Sequence, residues 1–284
     1  MHRWTVGDVT VARLEDAAFA LPAEAAVPDW MVPAFAPTPD AVGIAFSAIA
    51  IRAGDRRIVV DPWLADDSPR DRADAAAHVA GLLAAMAAIG CAADDVDVVV
   101  NTHIDGIGWN TRPDGAGWSA TFPNARYLVP VQELDAVDAG EDVYGGDGFQ
   151  VLRRAGVVDP IDPSSLPLTI APGVELVDAP GHNAGHVAVR IRSGSDVAIV
   201  PGHLVLNPMQ VDDPAFDVGE PDHATGATTR QRMLDDLADA GGLLITSMLG
   251  GPGGGRVQRT PTGFALIVDD QAGVVPGERG PADR

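Results

Sequence analysis

One segment near the middle of the chain constrains the fold more than any other, because it joins a buried strand to polar side chains. Val98 to Val100 is an apolar, β-branched run that leads into Thr102-His103. Asp105 comes two residues later, and the loop Gly-Ile-Gly-Trp-Asn follows it. A strand that delivers a His and an Asp into a glycine-rich loop is how proteins of mixed α and β structure present ligands at the carboxyl ends of strands. The segment therefore predicts a mixed fold with a polar site at one edge of a sheet.

The hydrophobic pattern predicts alternating β and α structure along the rest of the chain. Apolar or alternating runs predict strands at 4–14, 42–52, 57–60, 96–100, 125–130, 174–178, 187–191, 197–200 and 243–246, and a last pair within 256–268. Helices are predicted at 70–90, at 131–154 with a break at Gly145-Gly146, and at 228–240. Residues 18–41 form a Pro- and Ala-rich loop, of a length that is typical of a lid or a dimer contact. No break in composition divides the chain, which indicates one domain, and the Gly/Pro/charge-rich residues 271–284 predict a disordered tail.

The charge balance excludes several classes of partner. The chain has 19 Lys+Arg against 40 Asp+Glu, a formal net charge of −21, so neither nucleic acid nor an anionic membrane is an expected partner. All the basic residues are Arg, which excludes a Schiff-base lysine and a phosphate-loop lysine. Cys91 is the only cysteine, so an intrachain disulfide and a multi-cysteine zinc cage are excluded, and a buried structural thiol is expected. The N-terminus lacks the apolar core of a signal peptide, and no apolar run reaches about 18 residues, so a soluble, cytoplasmic protein is expected.

Four segments together resemble the metallo-β-lactamase superfamily. Residues 102–110 resemble its signature Thr-His-x-His-x-Asp-His, although the stretch is two residues short. Residues 178–187 are similar to its Pro-Gly-His-Thr-Pro-Gly-His motif, and residues 199–210 resemble its Gly-Asp-x-x-His-x-Pro-x-Gln segment. Residues 121–127 are similar to a segment of its lactonase-like and phosphotriesterase-like branches. The resemblance implies a four-layer αββα sandwich, formed by a single domain over residues 1–270.

The same resemblance implies which metal ligands are kept and which are lost. It assigns His103 and His182 to one ion, and it places His203 where the family has an Asp that bridges two ions. Gly106 stands where a His ligand belongs, and Met248 stands where the last His is expected. A two-metal centre holds its ions roughly 3.5–4 Å apart with shared ligands. Without the bridging carboxylate, no second metal is expected.

A site for one ion is still expected from the resemblance. Three His with a water in the fourth position form a ligand set that zinc uses. The expected cofactor is therefore one Zn²⁺ or a similar divalent ion, held by His103, His182 and His203, with Asp105 as a fourth ligand or as the catalytic base. The alternative is that these are hydrogen-bonded pocket histidines without a metal. His186 is expected to be structural and to bond within its turn.

These expectations lead to two hypotheses about function. The first is a hydrolase that attacks a small ester, lactone or phosphoester through metal-bound water. The alternative is a catalytically inactive, metal-free binding or scaffold protein of the same fold. The expected partner is a small-molecule substrate, and residues 18–41 make a homodimer a further expectation. Trp63 and Trp109 are expected at the pocket mouth as substrate-binding residues, with burial in the core as the alternative for each.

Two other kinds of site have no support in the sequence. The Gly-rich run 250–255 lacks Gly-Lys-Ser/Thr, so we expect a flexible loop beside the pocket rather than a phosphate loop. No Gly-x-Ser-x-Gly occurs, which leaves a serine hydrolase without its nucleophile motif. His2, His78 and His223 are expected at the surface.

Overall fold

The computed structural model describes residues 1–62, 72–104, 108–139 and 146–268. The predicted tail at 271–284 lies outside these residues, and the domain boundaries stay predictions. None of the described helices has the length and apolar character needed to cross a membrane.

The first of two large sheets has seven strands, in the spatial order β1-β2-β3-β4-β5-β8-β9. These strands are β1 His2–Val6, β2 Val9–Pro22, β3 Ala41–Ala53, β4 Arg56–Val60, β5 Val98–Val100, β8 Arg126–Pro130 and β9 Val158–Ile161. Strands β4, β5, β8 and β9 pair in parallel, while β1 to β4 pair antiparallel. Two further strands, β6 Thr111–Asp114 and β7 Gly117–Ala120, form a separate hairpin.

The second large sheet also has seven strands, and these follow one another in chain order from β10 to β16. These strands are β10 Leu168–Ala171, β11 Val174–Asp178, β12 Val187–Ser193, β13 Asp196–Val200, β14 Leu243–Ile245, β15 Gly254–Arg259 and β16 Phe264–Ile267. Neighbouring strands pair antiparallel except β13 and β14, which pair in parallel. The helical segment that connects β13 to β14 is the crossover that a parallel pair requires.

Five α-helices are described, and the local sequence explains the formation of α1 and both ends of α5. They are α1 Arg72–Ala87, α2 Val131–Asp138, α3 Gly146–Ala155, α4 Met209–Asp212 and α5 His223–Ala240. The Ala-rich composition of α1 favours a helix, and the chain leaves it at Gly90 with φ of +74°. Asp222 caps α5 by accepting a hydrogen bond from the Thr225 amide, and Gly241 ends the helix in the left-handed conformation.

Apolar side chains fall into three clusters that define four layers. One cluster lies between the two sheets and joins residues such as Val11, Ile49 and Val189. A second covers the outer face of the first sheet with α1, α2 and α3, and a third covers the outer face of the second sheet with α4 and α5. The layers are therefore helix, sheet, sheet, helix, and the predicted αββα sandwich is confirmed.

Three predicted element boundaries are wrong. The predicted strand 4–14 is a hairpin, because Gly7 takes φ of +56° and turns β1 back onto β2. The predicted loop 18–41 begins too early, since β2 continues to Pro22 in register with the first residues of β3. The last helix starts at His223 rather than at 228, because Asp222 caps it there.

The strand directions bring several loops to one edge of the molecule. Because β4, β5 and β8 are parallel, Asp61, Thr102-His103 and the start of α2 all follow carboxyl ends at the same edge of the first sheet. His203 follows the carboxyl end of β13, and His182 lies in the connection between β11 and β12. In sheets of this kind, binding sites form outside the carboxyl ends of the strands, so this edge is the expected place for a site.

Candidate metal centre

His103 is held by a chain of hydrogen bonds that begins at Asp61. The buried Asp61 carboxylate accepts hydrogen bonds from the Thr102 amide (2.8 Å) and from the Thr102 hydroxyl (2.9 Å). Since the Thr102 hydroxyl donates its proton to Asp61, its oxygen accepts from Nδ1 of His103, which lies 3.1 Å away. A proton on Nδ1 leaves Nε2 of His103 as the nitrogen with a lone pair. A partner on one ring nitrogen that fixes the other as a ligand is the usual arrangement at metal sites.

Several effects act in opposite directions on the pKa of the Asp61 carboxyl. Burial raises the pKa of its carboxyl above the ordinary value, while the nearby His103 and His203 and the hydrogen bonds from Thr102 act in the opposite direction. Asp61 has φ of +47°, in the left-handed region that a residue with a side chain rarely adopts. The strained backbone turns the chain out of β4, and the carboxylate meets Thr102 just beyond the end of the adjacent strand β5.

His186 forms the support beneath the site, as expected for a structural residue. Its ring is fully buried, with Nδ1 3.1 Å from the Ala179 carbonyl and Nε2 3.2 Å from the His203 amide. Nδ1 therefore donates and Nε2 accepts, which is the pattern of a neutral imidazole. Burial, followed by the charges of His103, His182 and His203, lowers the pKa of His186 well below its ordinary value. His186 thus fixes the backbone of His203 and has no nitrogen left to bind a metal.

The remaining three histidines meet at one point. Their ring centroids lie 4.8 Å apart for His103 and His182, 4.4 Å for His103 and His203, and 5.3 Å for His182 and His203. His103 and His203 are buried and His182 is partly buried. The cluster joins parts of the chain that are up to 100 residues apart, as the resemblance predicts.

The three rings fit a small divalent ion in chemistry and nearly in distance. One nitrogen from each ring lies within 4.8 Å of the other two. Three nitrogens bound to a tetrahedral zinc ion at about 2.0–2.1 Å lie about 3.4 Å from one another. The nitrogens are therefore at most about 1.4 Å farther apart than in a tetrahedral zinc site. A three-His set is a ligand set that zinc uses with a fourth position open.

Glycine at position 202 allows the loops that carry His103, His182 and His203 to pack closely against one another. Gly202 has φ of +58°, and a Cβ atom there would lie 2.5 Å from the Thr102 hydroxyl oxygen and 2.7 Å from Nε2 of His186. The Val187 amide also donates to the Thr102 carbonyl at 3.0 Å. The loops that carry His103, His182 and His203 are therefore in direct contact, and their relative positions are set by backbone as well as by side chains.

The remaining predicted site residues do not join the histidine cluster in the described part of the chain. Asp105, Gly106 and Trp63 lie outside the described residues, so their predicted roles stay predictions. Trp109 is only 2% exposed and packs in the apolar cluster on the outer face of the first sheet, which agrees with the alternative of burial in the core, and its role in substrate binding stays a prediction. The side chain is buried because the short 3-10 helix Gly108–Asn110 turns the indole toward α1, where it also borders a cavity of about 360 Å³.

Met248 lies at the same edge of the second sheet, just after β14. It is buried in an apolar cluster with Leu249 and Ile44, and its carbonyl accepts a hydrogen bond from the Ala45 amide. A thioether among aliphatic side chains is suited to filling space rather than to binding zinc. The surroundings of Met248 are therefore apolar, as predicted.

The sequence reasoning missed two polar residues that support the ligands. Asp61 was visible only as the residue after a predicted strand, and nothing local distinguished it from any other Asp. Glu133 lies in the first turn of α2 and accepts hydrogen bonds from the Ile104 amide and from Asn183, residues adjacent to His103 and His182. A Glu just after a predicted strand on the site edge was the only available signal.

Comparisons with known proteins agree with the fold described above. The family model described as "Metallo-beta-lactamase superfamily" matches residues 47–245, more than half of the chain. A hydrolase described as AbOPH, of the beta lactamase superfamily, is 18% identical with a TM-score of 0.71, over 94% of this chain and 96% of its own. AidC, a dizinc quorum-quenching lactonase in complex with a homoserine product, is 19% identical with a TM-score of 0.70, over 94% and 97%. A probable metal-dependent hydrolase from Staphylococcus aureus is 18% identical with a TM-score of 0.64, over 86% and 91%. No curated protein matches the chain in sequence.

Proposed function

Because the chain belongs to the metallo-β-lactamase superfamily, we propose that it is a hydrolase with a single divalent ion, such as Zn²⁺. The ion is held by His103, His182 and His203, and the substrate is a small ester, lactone or phosphoester. The observation that carries the proposal is the meeting of these three rings at one edge of the sandwich. Three convergent imidazoles are a ligand set of zinc enzymes.

Each part of the surrounding framework has a role in this proposal. When bound, a divalent ion of this kind lowers the pKa of a coordinated water to about 7 and polarises a carbonyl or phosphoryl oxygen. Thr102 and Asp61 keep the proton of His103 on Nδ1. His186 holds the backbone of His203 in place. We assign the role of base to Asp105. This assignment rests on the sequence alone, because Asp105 lies outside the described residues.

Two features support one ion rather than two. His203 replaces the carboxylate that would bridge a pair of ions, and a neutral imidazole nitrogen has one lone pair, so it binds one ion only. Met248, at the position of a further ligand, is buried among aliphatic side chains. A second ion would therefore have to lie beside apolar side chains at Met248, where the described residues offer it no carboxylate, and such burial of a charge is costly.

The class of substrate is the finer part of the proposal. AidC is a lactonase and AbOPH is a hydrolase, and the chain shares their fold at 18–19% identity. We propose an ester-like bond as the one that is cleaved, because esters, lactones and phosphoesters all develop negative charge on an oxygen during hydrolysis. A cation at the site stabilises that charge. A small-molecule substrate and assembly into a homodimer complete the proposal.

The second candidate is a metal-free protein that binds a ligand in the same pocket without cleaving it. The apolar surroundings of Met248 and the loss of the bridging carboxylate favour it. In this case the three histidines are pocket residues, and their removal has no effect on metal content.

Metal analysis separates the two candidates. Protein expressed with excess Zn²⁺, Mn²⁺ and Co²⁺ is desalted, and its metal content is measured by mass spectrometry for the natural chain and for His203→Ala. His78→Ala is the matched control, because His78 lies on the exposed face of α1. About one ion per natural and control chain, and a loss of most of it in His203→Ala, supports the hydrolase. Equal and negligible metal in all three proteins overturns it.

Activity is then assayed on the metal-loaded protein with 4-nitrophenyl acetate, γ-butyrolactone and diethyl 4-nitrophenyl phosphate. Hydrolysis of one of these that is lost on chelation and restored by the metal supports the proposed reaction. A metal-loaded protein that cleaves none of the three classes contradicts it.

A further inference from the structure

Glu133 is a buried carboxylate that bonds to both halves of the candidate metal centre. It lies in the first turn of α2 and is 7% exposed. One oxygen accepts a hydrogen bond from the Ile104 amide at 3.0 Å. The Asn183 side-chain amide lies 3.2 Å from each of the two oxygens. A single carboxylate therefore joins two loops that are about 80 residues apart in the sequence.

Both donors stand directly after a histidine of the cluster. Ile104 follows His103, and Asn183 follows His182. A shift of the Glu133 carboxylate changes the path of both loops at the residue next to the ligand. Besides the backbone contacts of Gly202 and Val187, this side chain therefore bears on the distance between the rings of His103 and His182, whose centroids are 4.8 Å apart.

The helix that carries Glu133 is itself packed against the His182 loop. A Cβ atom at Gly185 would lie 2.9 Å from Oε1 of Gln132 and 3.1 Å from Cβ of Pro130. The first turn of α2 and the loop are therefore in close contact, and glycine at 185 permits it. This packing places Glu133 next to Asn183, and a group that sets a distance needs such support.

The negative charge of Glu133 also favours a cation at the histidine cluster. In the described part of the chain, its hydrogen-bond partners are neutral amides, and no Arg or His lies within salt-bridge distance. A buried carboxylate without a counter-charge is costly. A cation bound by the histidines on the two adjoining loops supplies the missing positive charge.

We propose that Glu133 is a positioning residue, which sets the separation of the His103 and His182 loops and thereby the affinity of the centre for a divalent ion. The inference rests on the proposed metal site. It assigns to Glu133 no contact with the ion or the substrate.

The test exchanges the two hydrogen-bonding partners. Glu133→Gln keeps one oxygen for the Ile104 amide but turns a second amide group toward the amide of Asn183. In the double variant Glu133→Gln with Asn183→Asp, the introduced glutamine amide donates to the introduced aspartate carboxylate, and the net charge is restored. Asp135→Asn is the matched control, because it removes an exposed carboxylate from the same helix. Asn183→Ala tests one half of the contact in a variant that is expected to fold, since Asn183 is only partly buried.

The readouts are the Zn²⁺ dissociation constant from competition with a chromophoric chelator, the visible spectrum of the Co²⁺ form, and the melting temperature without metal. Loss of a supporting group at a metal site costs about 10–100-fold in affinity. We expect a loss in this range for Glu133→Gln, a smaller loss for Asn183→Ala, and an affinity within about twofold of natural for Asp135→Asn. The double variant recovers at least half of the loss on a logarithmic scale, and its Co²⁺ spectrum returns toward that of the natural protein.

The outcomes distinguish this inference from the proposed function. A natural protein that binds no ion overturns the metal site and the role of Glu133 with it. A natural protein that binds Zn²⁺ while Glu133→Gln and Asn183→Ala bind it equally well overturns the role of Glu133 alone. The same holds if the double variant is no better than Glu133→Gln, or if affinity only follows the melting temperature.

Discussion

Removal of the Tyr127 hydroxyl should destabilise the protein at neutral pH, and the effect should shrink in alkali. Tyr127 lies on β8 and is completely buried. Its hydroxyl accepts a hydrogen bond from the Phe122 amide at 3.0 Å and donates to the Asn110 carbonyl at 3.2 Å. These two residues flank the β6–β7 hairpin that follows the ligand loop. The hydroxyl therefore ties the hairpin to the first sheet.

The magnitude follows from the partners that Tyr127→Phe leaves behind. The Asn110 carbonyl keeps a second bond, from the Thr121 amide at 3.0 Å, whereas the Phe122 amide loses the oxygen to which it donates. A buried donor without a partner costs about 1–3 kcal/mol. We expect the unfolding free energy at pH 8 to fall by this amount.

The pH dependence follows from the pKa of Tyr127. Burial raises this pKa far above the ordinary value of 10.0, so the folded protein keeps the hydroxyl neutral in alkali. The unfolded chain ionises at its ordinary pKa and therefore binds fewer protons than the folded protein above about pH 10. The natural protein thus loses about 1.4 kcal/mol of stability per pH unit in that range through Tyr127, and Tyr127→Phe does not. The difference between the two proteins should approach zero near about pH 11.

Urea denaturation of both proteins at pH 8, 10 and 11, followed by tryptophan fluorescence, measures this difference. The chain has no Lys, so the groups that usually dominate titration in this range are missing. Other titrating groups, such as Cys91, are common to both proteins and cancel in the comparison. Equal stability at pH 8, or a difference that stays constant up to pH 11, would refute the reasoning.

Three further substitutions test the packing and the site. Gly202→Ala should lower the unfolding free energy by about 2 kcal/mol or more, because φ is +58° and the new Cβ would lie 2.5 Å from the Thr102 hydroxyl; urea denaturation that shows no change contradicts this. Glu220→Ala should cost about 3–5 kcal/mol, since it leaves the buried Arg230 guanidinium without its carboxylate; a calorimetric loss below about 1 kcal/mol would exclude a buried pair. His203→Asp should retain less metal than the natural protein and more than His203→Ala, because one carboxylate suited to bridging two ions replaces a third imidazole; equal metal content in all three proteins argues against a single-ion site.

The elements that the sequence predicted well are those with a strong local pattern. The continuous apolar, β-branched run at Val98 to Val100 and the Ala-rich composition of α1 are strong local signals, and both elements formed as predicted. The short strands β6, β7, β9 and β10 were missed, because none is a continuous apolar run and three of them contain a Pro or Gly, which is typical of turns. The end of β2 was missed for another reason. Its last residues are exposed, and only pairing with β3 keeps them extended.

The three clustered histidines could be predicted and the residues that support them could not, for a related reason. His103, His182 and His203 stand in local motifs that are readable one by one. The contacts of Asp61 with Thr102 and of Glu133 with Ile104 span 41 and 29 residues, so they exist only once the parallel strands have brought their ends together. Single residues without a motif carry no signal for such contacts in one sequence.

The distribution of charge around the cluster is itself an argument for a bound cation. Two buried carboxylates, Asp61 and Glu133, support the loops that carry the three histidines, and in the described residues neither is paired with an Arg. A cation among the neutral imidazoles would supply the positive charge that these two buried carboxylates otherwise lack. Zinc binding should therefore weaken most when both carboxylates are neutralised, in a variant with Asp61→Asn and Glu133→Gln. Calorimetric titration with Zn²⁺ checks this, and a double variant that binds as tightly as the natural protein would show that the charge balance has no bearing on the metal.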